Sequence, residues 1–255
     1  MKSSRRLQNR PLEGRGIVVT RPAAQAHGLA TLVEQAGGRA LLFPAIEIQD
    51  LPQPPLPQLE RFDLAIFVSP TAVDRAFRLV PAWPPRLRYA VIGRGTAREL
   101  QRRGVAAVIA PERGADSEAL LALPPMQEVA GKRIAIFRGE GGRQLLGDTL
   151  AARGAHVEYV ECYRRVLPQA DGAALLAAWA QGAIDAVTVS SSEGLENLLE
   201  MLGDAGRQQL LATPLFVPHE RVAEQARARG ASEVIVAGPG DAEMSARLVA
   251  YFASR

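Results

Sequence analysis

A chain of 255 residues with 47% hydrophobic content can bury one large core or two ordinary ones. Its formal charge of +3 and pI of about 9.4 rest on arginine, because Lys2 and Lys132 are the only lysines. One cysteine, Cys162, excludes an internal disulfide, the three histidines leave no metal-ligand cluster, and no apolar run nears the ~20 residues of a membrane span. A reducing cytoplasm fits these features, with no membrane and no export. Arginine favours planar anions such as carboxylates and phosphates, although a GC-rich genome writes Arg for Lys as well, so each arginine needs a positional argument.

Met1 to Arg15 is basic and polar and reads as a disordered leader, with a nucleic-acid-binding arm as the alternative. Short apolar runs then alternate with helix-period segments, the pattern of βαβ units around parallel sheets, so the fold class is α/β. Strands are predicted at Gly16 to Thr20, Arg39 to Pro44, Leu64 to Ser69, Ala90 to Gly93, Ala107 to Ala110, Arg133 to Arg138, His156 to Tyr163, Ala186 to Ser190, Leu215 to Pro218 and Glu233 to Ala237. Predicted helices include Ala23 to Ala36, Ser117 to Ala122, Gln144 to Arg153, Gly194 to Leu202 and Arg221 to Arg229. The Pro-rich Leu51 to Leu59 reads as a connector, and Arg165 to Gly172 as a second joint.

The same grammar occurs twice, displaced by on the order of 120 residues. Ile17-Val-Val-Thr-Arg21 matches Ile134-Ala-Ile-Phe-Arg138, and each is followed by a helix ending at Gly37 or Gly154 and a strand running to Pro44 or Glu161. Phe62 to Ser69 matches Ile184 to Ser191. Ala90 to Gly93 matches Leu215 to Pro218, and Val108-Ile109 matches Val234-Ile235.

Ser69-Pro-Thr71 and Ser190-Ser-Ser-Glu193 sit where a strand ends and a helix begins, so hydroxyls and free N–H groups face outward at a helix N-terminus. Singly, each reads equally as an ordinary N-cap. The same holds for Thr96 in Gly93-Arg-Gly-Thr96, for Ser117, and for the turn Arg138-Gly139-Glu140-Gly141-Gly142-Arg143. Together these turns would crowd onto one rim of each sheet, because open α/β sheets bind ligands outside the carboxyl ends of their strands. The glycine patterns at 93–95 and 139–142 do not complete a nucleotide fingerprint: Arg98 and Gln144 stand where the third small residue belongs, and no Walker run or nucleophile elbow occurs. Cys162 reads as a buried strand residue. Tyr163 stands at the second joint, where its phenol would face the space between domains if the joint is a hinge.

Thr20-Arg-Pro22, Phe67-Val-Ser-Pro-Thr-Ala72, Val91-Ile-Gly-Arg-Gly-Thr-Ala97, Asp116-Ser-Glu-Ala-Leu120, Ile136-Phe-Arg-Gly-Glu-Gly-Gly-Arg143 and Glu161-Cys-Tyr-Arg-Arg165 occur in that order. With them the sequence resembles the uroporphyrinogen-III synthases from about Gly16 to its C-terminus. The resemblance implies two flavodoxin-like parallel-sheet domains joined by a two-stranded linker, with the substrate cleft between them. Residues 1–45 plus 167–255 would form one discontinuous domain and residues 46–166 the other. It implies a lyase that needs no cofactor and no metal. Hydroxymethylbilane, the substrate, loses water and closes with inversion of ring D to uroporphyrinogen III. The implied partners are these two molecules, with a hand-off from hydroxymethylbilane synthase, no nucleic acid, and a monomeric state.

Such a reaction asks mainly for a folded polycarboxylate, hence many anion donors and few catalytic groups. Carried over residue by residue, Tyr163 matches the family tyrosine suspected of assisting departure of the hydroxyl. Thr96 matches the threonine of the Gly-x-x-Thr-Ala turn, and Ser69, Ser190 and Ser191 match carboxylate-facing turns. Arg21, Thr71, Ser117, Arg138, Gly139 and Arg143 complete the expected substrate-binding set. Where many members carry a Gly-Pro-Thr-Thr-Ala-like turn, this chain has Gly238-Pro-Gly-Asp-Ala242, and Asp241 would repel a carboxylate. Two other classes remain beside this one: a non-catalytic two-domain carrier of an anionic small molecule, and a nucleotide-dependent transferase or dehydrogenase, which the broken glycine patterns disfavour.

Overall fold

A computed structural model describes residues 10–52 and 58–255. In chain order they form β1 (Gly16–Val19), α1 (Ala23–Gln35), β2 (Arg39–Leu42), β3 (Glu47–Asp50), a 3-10 turn (Leu59–Arg61), β4 (Leu64–Phe67), α2 (Pro70–Leu79), β5 (Arg88–Val91) and α3 (Arg94–Arg102). The short α4 (Ser117–Leu121) and α5 (Pro124–Gln127) lead to β6 (Arg133–Gly139), α6 (Leu145–Ala152), β7 (His156–Val166), α7 (Ala173–Ala180) and β8 (Ala186–Thr188). Last come α8 (Ser192–Ala212), β9 (Leu215–Val217), α9 (Glu220–Ala228), β10 (Val234–Val236) and α10 (Asp241–Ala253). The chain divides into two compact units, Met1–Glu47 with Val166–Arg255, and Ile48–Arg165.

The sheet of the first unit has the order β10-β9-β8-β1-β2, parallel throughout. Counted in that unit's own chain order from the β2 edge, this is 2-1-3-4-5, the flavodoxin-like doubly wound plan. The second sheet has the order β3-β7-β6-β4-β5, with parallel pairs from β7 through β5 and a further parallel bridge from Ala90 to Ile109 at its outer edge. The matched segments of the duplication therefore lie in the same spatial order, β2-β1-β8-β9-β10 and β7-β6-β4-β5-Ile109. The sheet plan is shared, while the chain enters it at β1 in one unit and at β4 in the other.

Parallel strands covered on both faces need apolar side chains on both, and β1 (GIVV) and β4 (LAIF) are buried at every position. Alternation sorts those side chains. Ile17 and Val19 join Leu29, Val33, Met244 and Leu248 beneath α1 and α10, while Val18 joins Leu195, Leu198, Val222 and Ala226 beneath α8 and α9. In the second unit Leu64, Ile66, Ile134 and Ile136 pack with Leu120, Met126, Leu146 and Leu150. Ala65, Phe67, Ala135 and Phe137 face α2 and α3 through Val73, Ala76 and Leu100.

Several sequence-based boundaries need correction. The predicted strand at Ala107 to Ala110 contributes only the Ile109 bridge, because Pro111 ends the segment at the sheet edge. Strand β5 lies two residues earlier than predicted, and α8 runs on to Ala212 through a kink at Gly203. Strand β3 escaped prediction, since Glu-Ile-Gln-Asp has no apolar run to announce it. Within the expected disordered leader, residues 1–9 lie outside the described residues, but Leu12 is fully buried and its amide donates to the Ala36 carbonyl at 3.0 Å. Of the expected Leu51 to Leu59 connector, residues 53–57 lie outside the described residues, and Leu59 opens the 3-10 turn. At the second joint β7 continues through Val166, so Arg165 is a strand residue. Among the described residues no helix is long and apolar enough to cross a membrane.

Candidate active site

The carboxyl ends of β4 and β6, paired with Phe67 opposite Phe137, deliver Ser69 and Gly139 to one rim of the second unit. Ser69 has extended backbone and caps α2: its Oγ accepts the Ala72 amide at 2.9 Å. The same Oγ lies 3.0 Å from the Tyr163 hydroxyl, and either oxygen can donate.

Tyr163 reaches that position through a register shift in β7. Arg138 pairs with Glu161 but Gly139 pairs with Tyr163, so Cys162 is an extra residue. Strict alternation would send Cys162 and Tyr163 to opposite faces, yet both enter the core beneath α2 and α3, and Tyr163 is only 3% exposed. The ring then lies against Gly139, where a Cβ would come within 2.8 Å of Cε2 and Cζ. A side chain at 139 would displace the phenol.

The turn 138–143 is held from below. Arg138 is 8% exposed, with its guanidinium 3.8 Å from the centroid of the Tyr159 ring and Nη2 donating to Glu161 Oε1 at 3.0 Å. The same carboxylate oxygen accepts the Gly141 amide at 3.1 Å, and the Glu140 amide donates to the Tyr163 carbonyl at 2.7 Å. Gly141 (φ 69°) and Gly142 (φ 99°) both occupy the left-handed region, which L side chains rarely adopt. Arg138 was expected among the residues facing substrate; the structure places it beneath the turn, as a support for it. Glu161, which joins Arg138 to Gly141, was visible in the sequence as the end of a repeated strand and the residue before Cys162-Tyr163, with no sign of this role.

Elsewhere on this rim Thr96 is buried in the first turn of α3, and Thr71 is half-buried in the first turn of α2. Ser117 does not cap α4. Asp116 does, with Oδ1 accepting the Ala119 amide at 2.8 Å, so a carboxylate already occupies that helix start. Arg143 is exposed and grips both oxygens of Glu118, at 2.6 and 3.3 Å.

The first unit repeats the arrangement at the ends of β1 and β8. Thr20 Oγ1 donates to the Thr188 carbonyl at 2.7 Å, and Thr188 Oγ1 to the Val18 carbonyl at 3.1 Å, which locks the two strand ends together. Beyond them Ser191 caps α8, its Oγ accepting the Gly194 amide at 3.0 Å, and Ser190 stands half-buried beside it. Arg21 is turned to the C-terminal segment: Nη2 donates to the Pro239 carbonyl at 3.0 Å, and Nη1 lies 2.6 Å from Asp241 Oδ1 in a charge contact poorly directed for a hydrogen bond. Asp241 is wedged against α1, where a Cβ on Gly28 would come within 2.3 Å of Oδ2.

Cys162 is 2% exposed, its thiol donates to the Val160 carbonyl at 3.4 Å, and burial pushes its pKa from 9.0 up to about 12. The folded state thus favours the neutral thiol. That contribution to stability is complete below pH 9 and is lost as pH rises from 9 towards about 12. Iodoacetamide at pH 8 is expected to leave Cys162 unlabelled in the native chain and to label it in urea; rapid native labelling, read by mass spectrometry, would contradict the burial.

A family profile described as uroporphyrinogen-III synthase HemD matches residues 27–244. The chain is 37% identical over 235 residues to the uroporphyrinogen-III synthase of Escherichia coli (strain K12), covering 88% of this chain and 96% of that protein. To its counterpart in Proteus mirabilis it is 33% identical over 192 residues, covering 72% and 96%. Among solved structures it resembles uroporphyrinogen-III synthetase from Helicobacter pylori 26695, with a TM-score of 0.60 and 15% identity over 93% of this chain and 99% of that one. A mutant uroporphyrinogen III synthase from the extremely thermophilic bacterium Thermus thermophilus gives a TM-score of 0.59 and 18% identity, covering 93% and 97%. At these identities the structural likeness shows the fold.

Proposed function

The chain belongs to the uroporphyrinogen-III synthase family, and from that premise we propose that its Ser69–Tyr163 pair carries the chemistry while the strand-end turns of each unit take substrate carboxylates. The activity is that of a lyase of tetrapyrrole biosynthesis: hydroxymethylbilane loses water and closes to uroporphyrinogen III with inversion of ring D. The observation that supports the chemical assignment is the 3.0 Å contact between Ser69 Oγ and the Tyr163 hydroxyl. Ser69 Oγ already accepts the Ala72 amide, so its own proton is available to the phenol oxygen. The Tyr163 O–H is then left to donate to the departing hydroxyl. A buried donor with a fixed partner needs little reorganisation at the moment of reaction, which is where electrostatic stabilisation acts most strongly.

Carboxylates are taken up, in this reading, at the helix starts capped by Ser69 and Ser191, with Ser190, Thr71 and Thr96 beside them, and over the Gly139 turn. Arg138 contributes by holding that turn. Ser117 and Arg143 belong to the same set, although Asp116 and Glu118 compete for them. The chain acts as a monomer in the cytoplasm, supplied by hydroxymethylbilane synthase; sedimentation of the purified chain tests the first of these. The activity itself is tested by adding hydroxymethylbilane and separating the products. Isomer III is expected, and accumulation of isomer I alone would overturn the assignment.

Arg21 reaches a substrate carboxylate only by exchanging Asp241 for it. Asp241→Ala is therefore expected to lower KM for hydroxymethylbilane by roughly two- to fivefold, the scale of a partly exposed ion pair, with kcat unchanged. An unchanged KM would remove Arg21 from the substrate-binding set.

A further inference from the structure

A cavity of about 440 Å³ opens at the amino-terminal edge of the second unit's sheet, the edge opposite to Ser69 and Tyr163. Strands β4, β5 and β6 begin there, with Leu64, Arg88 and Arg133. From Leu64 to the Ser69 turn is roughly 15 Å at the usual rise of a strand, so one small ligand does not span both places. Phe62, Leu64, Ile109 and Met126 contribute apolar lining to the cavity, and Arg61, Arg86, Arg88 and Lys132 contribute cations.

Two acidic residues, Glu60 and Asp63, share the lining, and Asp63 is engaged: its Oδ2 accepts the Arg133 amide at 2.8 Å. Most arginines at the two rims are tied to carboxylates, as Arg138 is to Glu161 and Arg143 to Glu118. Here, among the described residues, no ion pair joins Arg61, Arg86, Arg88 or Lys132 to a carboxylate, and Arg86 makes one long bond, 3.4 Å, to the Glu60 carbonyl. Four cations against two carboxylates leave the lining with an excess of two positive charges, and an anion placed among them offsets that excess. Guanidinium groups add geometry, since each can grip two oxygens of a phosphate or carboxylate. The volume lies in the range of small-molecule sites, about 300–1,000 Å³.

We infer that this cavity is an anion-binding site separate from the reaction centre, taking a compact molecule with two or more phosphate or carboxylate groups on a small apolar body. The apolar lining accounts for the body and the excess of cations for the charges. Binding weakens as salt is raised, because the cations stand near solvent.

Calorimetric titration of the full chain at low salt, with pyrophosphate in one arm and benzene-1,3,5-tricarboxylate in the other, tests the inference. At least one probe is expected to bind, and its affinity to fall roughly tenfold or more in Arg88→Gln/Lys132→Gln and again in Arg61→Gln/Arg86→Gln, given the strength of charge-assisted bidentate contacts. Isomer-III formation is expected to stay at the wild-type rate in both double variants. Preference for pyrophosphate marks a phosphorylated ligand, and preference for the tricarboxylate a carboxylic one. Absence of binding by either probe, or equal binding by wild type and both variants, overturns the site. Parallel loss of binding and of isomer-III formation overturns its separateness and assigns the cavity to the reaction.

Discussion

Tyr163→Phe is expected to reduce the rate of isomer-III formation by about 10²-fold, the lower end of what one positioned proton donor contributes. The ring keeps its contact with Gly139 and its place in the core, so the loss is confined to the hydroxyl. Removing a buried hydroxyl whose partner is another hydroxyl costs about 1 kcal/mol of stability, small enough to leave the protein folded. Two controls separate chemistry from positioning. Ser69→Ala removes the partner of the phenol and the cap of α2 together, and is expected to lower both activity and stability, the latter by about 1 kcal/mol. Gly139→Ala keeps both hydroxyls but drives a methyl into the Tyr163 ring, and is expected to lower kcat with the phenol still present. An undiminished rate in Tyr163→Phe would remove the phenol from the chemistry.

The second large effect concerns stability. Phe67 is fully buried at the end of β4, stacks on Phe137 at 4.8 Å and 10°, and touches Trp83 at 5.8 Å and Phe77 at 6.3 Å between centroids. Phe67→Ala deletes the centre of that cluster and is expected to cost about 3–5 kcal/mol, from lost transfer energy plus the cavity left behind. A fall in melting temperature on the order of 10 °C or more follows for a unit of this size. Phe67→Leu fills most of the space and is expected to cost less than about 2 kcal/mol. Since Phe67 stands two residues before Ser69, the alanine variant is expected to lose isomer-III formation at temperatures where the leucine variant retains it. Equal melting of both variants and wild type, followed by circular dichroism, would deny Phe67 this role.

Periodicity and turn chemistry were enough to read the α/β class, eight of the strands to within two residues and the duplicated order of segments, because a parallel strand buried on both faces is necessarily a short apolar run between breakers. The caps at Ser69 and Ser191 were equally legible, since a hydroxyl between a strand and a helix has one strong local use. Its place at the second joint, together with the resemblance to the synthase family, brought Tyr163 forward. The tertiary structure decided where these groups point. The extra residue at Cys162 turns Tyr163 onto the face that holds Ser69, and no local pattern announces a bulge that is defined only by pairing with the neighbouring strand. Arg138 and Arg143 are alike in sequence, yet one is buried under its turn by Tyr159 and Glu161 while the other lies exposed against Glu118, because burial and ion pairing depend on residues distant along the chain. Asp241 reads as a repulsive charge in a turn; in the fold it is the partner of Arg21, 220 residues away in sequence, and only the tertiary structure brings the two charges together.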